Sequence, residues 1–172
     1  SVHIVREGEE DFSLWFGEAK FYNSIENARL ASIVESVGNS LLTEKLKKEN
    51  SIITNMAEVD RLVENKELAA KIKLALSPDK SMDNIKPILH IPILLLHQCF
   101  ITTEAKEMNE EYRENIRKYH LERSTAYFKK QIETLVSKVT KYSSIKFHII
   151  LFPIPDSKEL IDQFTNAIAY LK

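Results

Sequence analysis

Glu18 and Lys20 stand two residues apart inside the apolar stretch Leu14-Trp15-Phe16-Gly17-Glu18-Ala19-Lys20-Phe21-Tyr22. In a β-strand, side chains alternate between faces, so residues i and i+2 share one. Glu18 and Lys20 therefore point the same way as Leu14, Phe16 and Tyr22, while Trp15, Gly17, Ala19 and Phe21 point the other. Charge on so apolar a strand is expensive unless it is paired or used. The chemistry that uses it is metal-assisted phosphodiester hydrolysis. A carboxylate holds Mg2+ or Mn2+, the ion acidifies a water, and a nearby Lys orients or deprotonates that water and stabilises the pentacovalent state. One monodentate Glu is a poor magnesium site, so a second carboxylate is expected from the preceding strand. The bland alternative for an isolated Glu-x-Lys is a surface ion pair on an edge strand.

Such a pair needs a rigid strand, a hairpin before it and a helix after it. Residues 2–6 read as a short strand, 7–11 as a polar turn containing Gly8, and 12–22 as the strand carrying the pair. Asn23 and Ser24 close it. Leu30, Val34, Val37 and Leu41 then recur at helical spacing over 25–42, beside a small-residue stripe of Ala28, Ala31 and Gly38 that would let the helix lie close to a sheet. Residues 43–50 are charged and continue the helix or loop out. A second helix is expected over 57–76, with Val59, Leu62, Val63, Ala69, Ile72 and Leu76 apolar, ended by Ser77, Pro78 and Asp79. Residues 82–89 have no clear period.

The near-continuous apolar runs 91–100 and 145–152 predict two central strands covered on both faces, the second terminated by Pro153 to Pro155. Between them, 107–142 is helical, as one helix or as two broken near Ser124, with Phe128, Ile132, Leu135, Val139 and Tyr142 inward. Asp156 or Ser157 caps a final helix from Lys158, its inward side Leu160, Ile161, Phe164, Ile168 and Leu171. The order predicts an α/β fold: a mixed sheet with helices on both faces.

Composition bounds the rest. The 172 residues, 44% hydrophobic, make one domain, and a formal net charge of −1 gives no whole-chain argument for nucleic acid. The single Cys99 excludes an internal disulfide, which fits a reducing, cytoplasmic setting. No apolar run reaches the roughly 18 to 20 residues that span a bilayer. The chain opens at Ser1 already in strand-like sequence, so a natural N-terminal part is expected to be missing.

Trp15 to Tyr22, read as a block, resembles the signature of the HamA C-terminal domain family, and residues 91–98, 147–155 and the closing helix are similar to it too. The resemblance implies a restriction-endonuclease-like fold of the PD-(D/E)xK nuclease superfamily. It implies a DNA nuclease effector of bacterial anti-phage defence, of the Hachiman type, controlled by a partner helicase. Carried onto this chain, Glu18 is a metal ligand and Lys20 the catalytic lysine, with Mg2+ or Mn2+ as cofactor. The first acid of the superfamily pattern is expected upstream of Ser1. Asp11, the only Asp of the hairpin, sits seven residues before Glu18 and is a poor substitute.

Secondary candidates carry structural alternatives. Tyr22 faces a phosphate or fills the end of the sheet. His3 faces the site or is a strand-edge histidine; His97 and His148 are core or sheet-end histidines. Glu35 is an extra acid or a helix-face salt bridge, and Cys99 a buried small hydrophobe. Arg123, Lys129, Lys130, Lys138 and Lys141, against the single acid Glu133, track a DNA backbone or are a solvated helix face. The rival to a nuclease is a catalytically silent nuclease-fold module that docks the helicase; a third reading is a structural protein with a chance Glu-x-Lys.

Overall fold

A computed structural model describes residues 2–42, 56–77, 82–138 and 144–169. The readings of 43–50, Pro78 and Asp79, Val139, Lys141, Tyr142 and Leu171 lie outside them, as does the side chain of Lys138.

Strand β1 (Val2–Glu7) turns at Gly8, whose φ of 83° is open to glycine, and runs antiparallel to β2 (Asp11–Phe16). β3 (Glu18–Tyr22) continues β2 after Gly17. Both lie parallel to β4 (Leu89–Gln98) in one unbroken register: Leu14 opposes Leu89, Trp15 opposes His90, and Glu18 to Tyr22 oppose Ile93 to His97. The gap in the ladder falls where Gly17 meets Pro92, which has no N–H to give. β2 and β3 are thus two halves of the strand expected over 12–22. β5 (Lys146–Ile154) pairs parallel to the far side of β4. The class is the expected mixed α/β sheet with helices.

Helices α1 (Asn27–Leu42), α2 (Met56–Leu62), α3 (Lys66–Leu76) and α6 (Ala126–Lys138) share one core with the sheet. Leu14 and Phe16 of β2, Ile91, Ile93 and Leu95 of β4, Leu30, Ile33 and Val37 of α1, Leu68 and Ile72 of α3, and Phe128 of α6 are buried in it. The second expected helix is two, because the Asn65 side chain accepts from the N–H groups of Glu67 and Leu68 and starts α3 afresh. Leu62, expected inward, is exposed. After β4 come α4 (Phe100–Glu104) and α5 (Glu110–His120), and a π-helical turn at Leu121–Thr125, around Ser124, joins α5 to α6 without a break in the helical chain, nearer to the single long helix of the two alternatives.

Three expectations change. β5 pairs with β4 alone, so among the described residues it is an edge strand, and it continues through Pro153 to Ile154, as an edge permits. The second face of the sheet is lightly covered: Ala19, Phe21, Ile150 and Phe152 on it are exposed. Helix α7 (Ser157–Ala169) buries no residue, so Leu160, Ile161, Phe164 and Ile168 face outward rather than in.

The small stripe of α1 also works differently. Ala28 is exposed, and the close approach is at Gly38, where an added Cβ would meet Leu135 Cδ1 of α6 at 3.2 Å. Gly38→Ala is expected to stay within about 1 kcal/mol of the parent, since helix propensity offsets a contact that the end of Leu135 can relieve. Gly38→Leu must drive α1 from α6 and is expected to cost about 1 to 3 kcal/mol or more in denaturant unfolding.

Candidate functional site

The strand geometry puts Glu18 and Lys20 together. Lys20 Nζ donates to Glu18 Oε1 at 2.8 Å, with the lysine side chain 35% and the glutamate 20% exposed. The same Oε1 accepts from Ser36 Oγ of α1 at 3.2 Å. The hydrogen bond that Lys20 donates to Glu18 is the main reason that its pKa is raised above 10.5, against some burial. Lys20 is therefore an ammonium throughout the physiological range. That makes it an electrostatic group rather than a resting base.

Ser36 was not legible as a site residue. Its one signal is position, on the helix that follows the strand, beside Glu35. Glu35 itself is exposed, and Ser36 is the α1 residue that touches Glu18. Further along the same face, the Arg29 guanidinium lies 5.0 Å over the Tyr22 ring, which fixes Tyr22 at the end of the strand.

The other candidates are elsewhere. Asp11 is exposed and faces Glu7 across the hairpin. Its seven residues of extended chain from Glu18 amount to roughly 23 Å, too far to share an ion. Arg123 lies in the π-helical turn, and Lys129 and Lys130 are exposed on α6. His3 is exposed on β1, opposite Trp15 on the other face of the sheet. His148 sits on that face as well, stacked with Trp15 and His90, its Nε2 2.9 Å from His90 Nδ1. Desolvation, then Lys146, push His90 below its usual pKa. His97 is fully buried, opposite Tyr22 on the Glu18 face, and meets His120 of α5 with the two Nε2 atoms 2.9 Å apart. Cys99 is buried, as expected.

A divalent ion fits this site incompletely. Among the described residues, no three His, Cys, Asp or Glu side chains gather to hold one. Glu18 offers a single carboxylate, and its Oε1 already serves Lys20 and Ser36. Magnesium wants more hard oxygen ligands than that.

The model of the HamA family matches residues 1–168. The chain belongs to the HamA family. Neither the curated proteins nor the solved structures contain a match. As a HamA-family chain it is a component of Hachiman anti-phage defence, a system that points to a partner protein. No helix among the described residues is long and apolar enough to cross a membrane.

Proposed function

We propose that the Glu18–Lys20 pair is one half of a metal-dependent phosphodiesterase centre, and that this HamA-family chain is the DNA-cleaving effector of its defence system. The observation carrying the reading is the half-accessible ion pair on one rigid strand, held by Ser36 of the adjoining helix. Two positions of a strand fix both groups with little entropy left to lose.

Glu18 would supply one ligand to Mg2+ or Mn2+. The register of the hairpin indicates where the second would come from. Val2 opposes Phe16, so a β1 prolonged by two residues would stand opposite Glu18. An acid at that point, upstream of Ser1, would complete the donor set. When bound, the ion would supply an acidified water.

The chain's own residues have distinct tasks. Lys20, kept charged, neutralises a phosphate oxygen and the charge that grows on it. Ser36 holds the Glu18 carboxylate in place. Tyr22, stacked under Arg29, borders the same face. The partner implied by the system, a helicase in this reading, would restrain a nuclease whose described residues include no base-reading element.

The test is plasmid cleavage by the full natural-length protein, alone and with its partner, in Mg2+ or Mn2+ and in EDTA. Cleavage that requires the metal is expected. No cleavage under any of these conditions overturns the reading in favour of a silent module that docks its partner, and cleavage indifferent to EDTA overturns the metal-dependent centre.

A further inference from the structure

The open face of the sheet is organised in rows. Ala19, Leu94 and Ile150 stand side by side across β3, β4 and β5, and Phe21, Leu96 and Phe152 form the next row. Phe21, Ile150 and Phe152 are exposed, Phe152 by 56%. The same chain carries a second uncovered apolar surface. On α7, Leu160, Ile161, Phe164 and Ile168 make a helical stripe, with Phe164 66% exposed. A sheet face and a helix stripe are the two halves of an ordinary α/β layer. Here neither half is buried.

The helix is held in the direction it takes. Gln98 Oε1 accepts from Ser157 N at 3.3 Å and from Ser157 Oγ at 2.8 Å, and Cys99 N donates to the Ile154 carbonyl at 2.9 Å. Asp156 Oδ1 accepts from the N–H groups of Lys158 and Glu159. With α7 in this direction none of its residues is buried, whereas a second copy can meet both apolar surfaces.

We infer that two copies of this chain form a two-fold dimer in which α7 of each lies on the open sheet face of the other. The area supports that occupant. Seven large apolar side chains, about half exposed and each used twice, would bury roughly 1,300 Å2, inside the range of specific stable interfaces. In a two-fold contact the same patch serves both partners, as a helix-on-sheet exchange requires. A net charge of −1 sets up little repulsion between copies.

Sedimentation velocity of the full chain at micromolar concentrations is expected to give twice the 19.9 kDa monomer mass. Phe164→Glu spoils the helix and Phe152→Glu the sheet. Each substitutes an exposed residue, so the variants should keep the parent's circular dichroism spectrum, and each alone should weaken the dimer by about 30-fold or more per site. Mixing the two variants leaves one contact intact and puts both substitutions in the other, so at most half of the buried area is restored and the mixture should stay weaker than the parent dimer. A monomeric parent overturns the inference, including one whose face instead takes single-stranded DNA or another protein. So does a dimer that neither substitution weakens.

Discussion

Lys20→Met is expected to lower phosphodiester cleavage by about 10^3-fold, roughly 4 kcal/mol of transition-state stabilisation, with thermal unfolding nearly unchanged. The two halves of the expectation have different causes. Lys20 is a third exposed and its visible partner is Glu18, so the ion pair contributes little to folding, about 0 to 1 kcal/mol. Methionine keeps the stem and removes the charge. What disappears is a cation fixed beside the phosphate, which no mobile surface lysine replaces. Glu18→Gln should also abolish cleavage, because an amide is a poor ligand for a hard cation, while still accepting from Ser36. The raised Lys20 pKa gives a further check. Its stabilising effect is full below 10.5 and is lost only as pH rises through its folded value, so the pH dependence of stability near neutrality should not report on Lys20. Cleavage by both variants at the parent rate would remove Glu18 and Lys20 from the chemistry. A fall in melting temperature that matches the fall in activity would make their role structural.

The pairing of Glu18 with Lys20 was legible because the two are close in sequence. Strand alternation alone puts Glu18 and Lys20 on one face, about 6.6 Å apart along the strand, and their long side chains close the gap to 2.8 Å. The β2–β3 strand, the apolar run of β4 and the helical stretch around Ser124 were legible for the same reason: each is a local pattern. What escaped depends on distant segments. Ser36 reaches Glu18 across eighteen residues of chain, and no period marks a serine on a helix as facing a carboxylate. The apolar run of β5 read as central because hydrophobicity was equated with cover. Its outer face, with Ile150 and Phe152, is apolar and open instead. The stripe of α7 was read inward on the same assumption. In a chain whose sequence pattern promises burial that the fold does not supply, the mismatch locates the surface a partner covers.

His97→Ala is expected to destabilise the fold by about 3 to 5 kcal/mol, the largest loss from any single polar side chain here. The Gln98 carbonyl can only accept, so His97 Nδ1, 3.1 Å away, carries the proton. His97 Nε2 is then a lone pair, and His120 Nε2–H donates to it. Alanine leaves a cavity beneath Tyr22's row and an N–H with nothing to meet. Replacing both histidines by leucine removes donor and acceptor together and should cost far less than the sum of the single changes, a non-additivity measurable by a double-mutant cycle. Acid supplies an independent test. Burial, then the neighbouring imidazole, lower His120 to about 4, and burial holds His97 below 6.5. Between those values the unfolded chain binds protons that the fold refuses. The stability from this pair is therefore whole above 6.5 and drains as pH falls, by a few kcal/mol on approaching 4. Denaturant unfolding followed from pH 7 to 5 should show that slope in the parent and a much weaker one, left by His90, in the double leucine variant. An equal slope in both would place the acid sensitivity elsewhere and reduce His97 and His120 to ordinary packing.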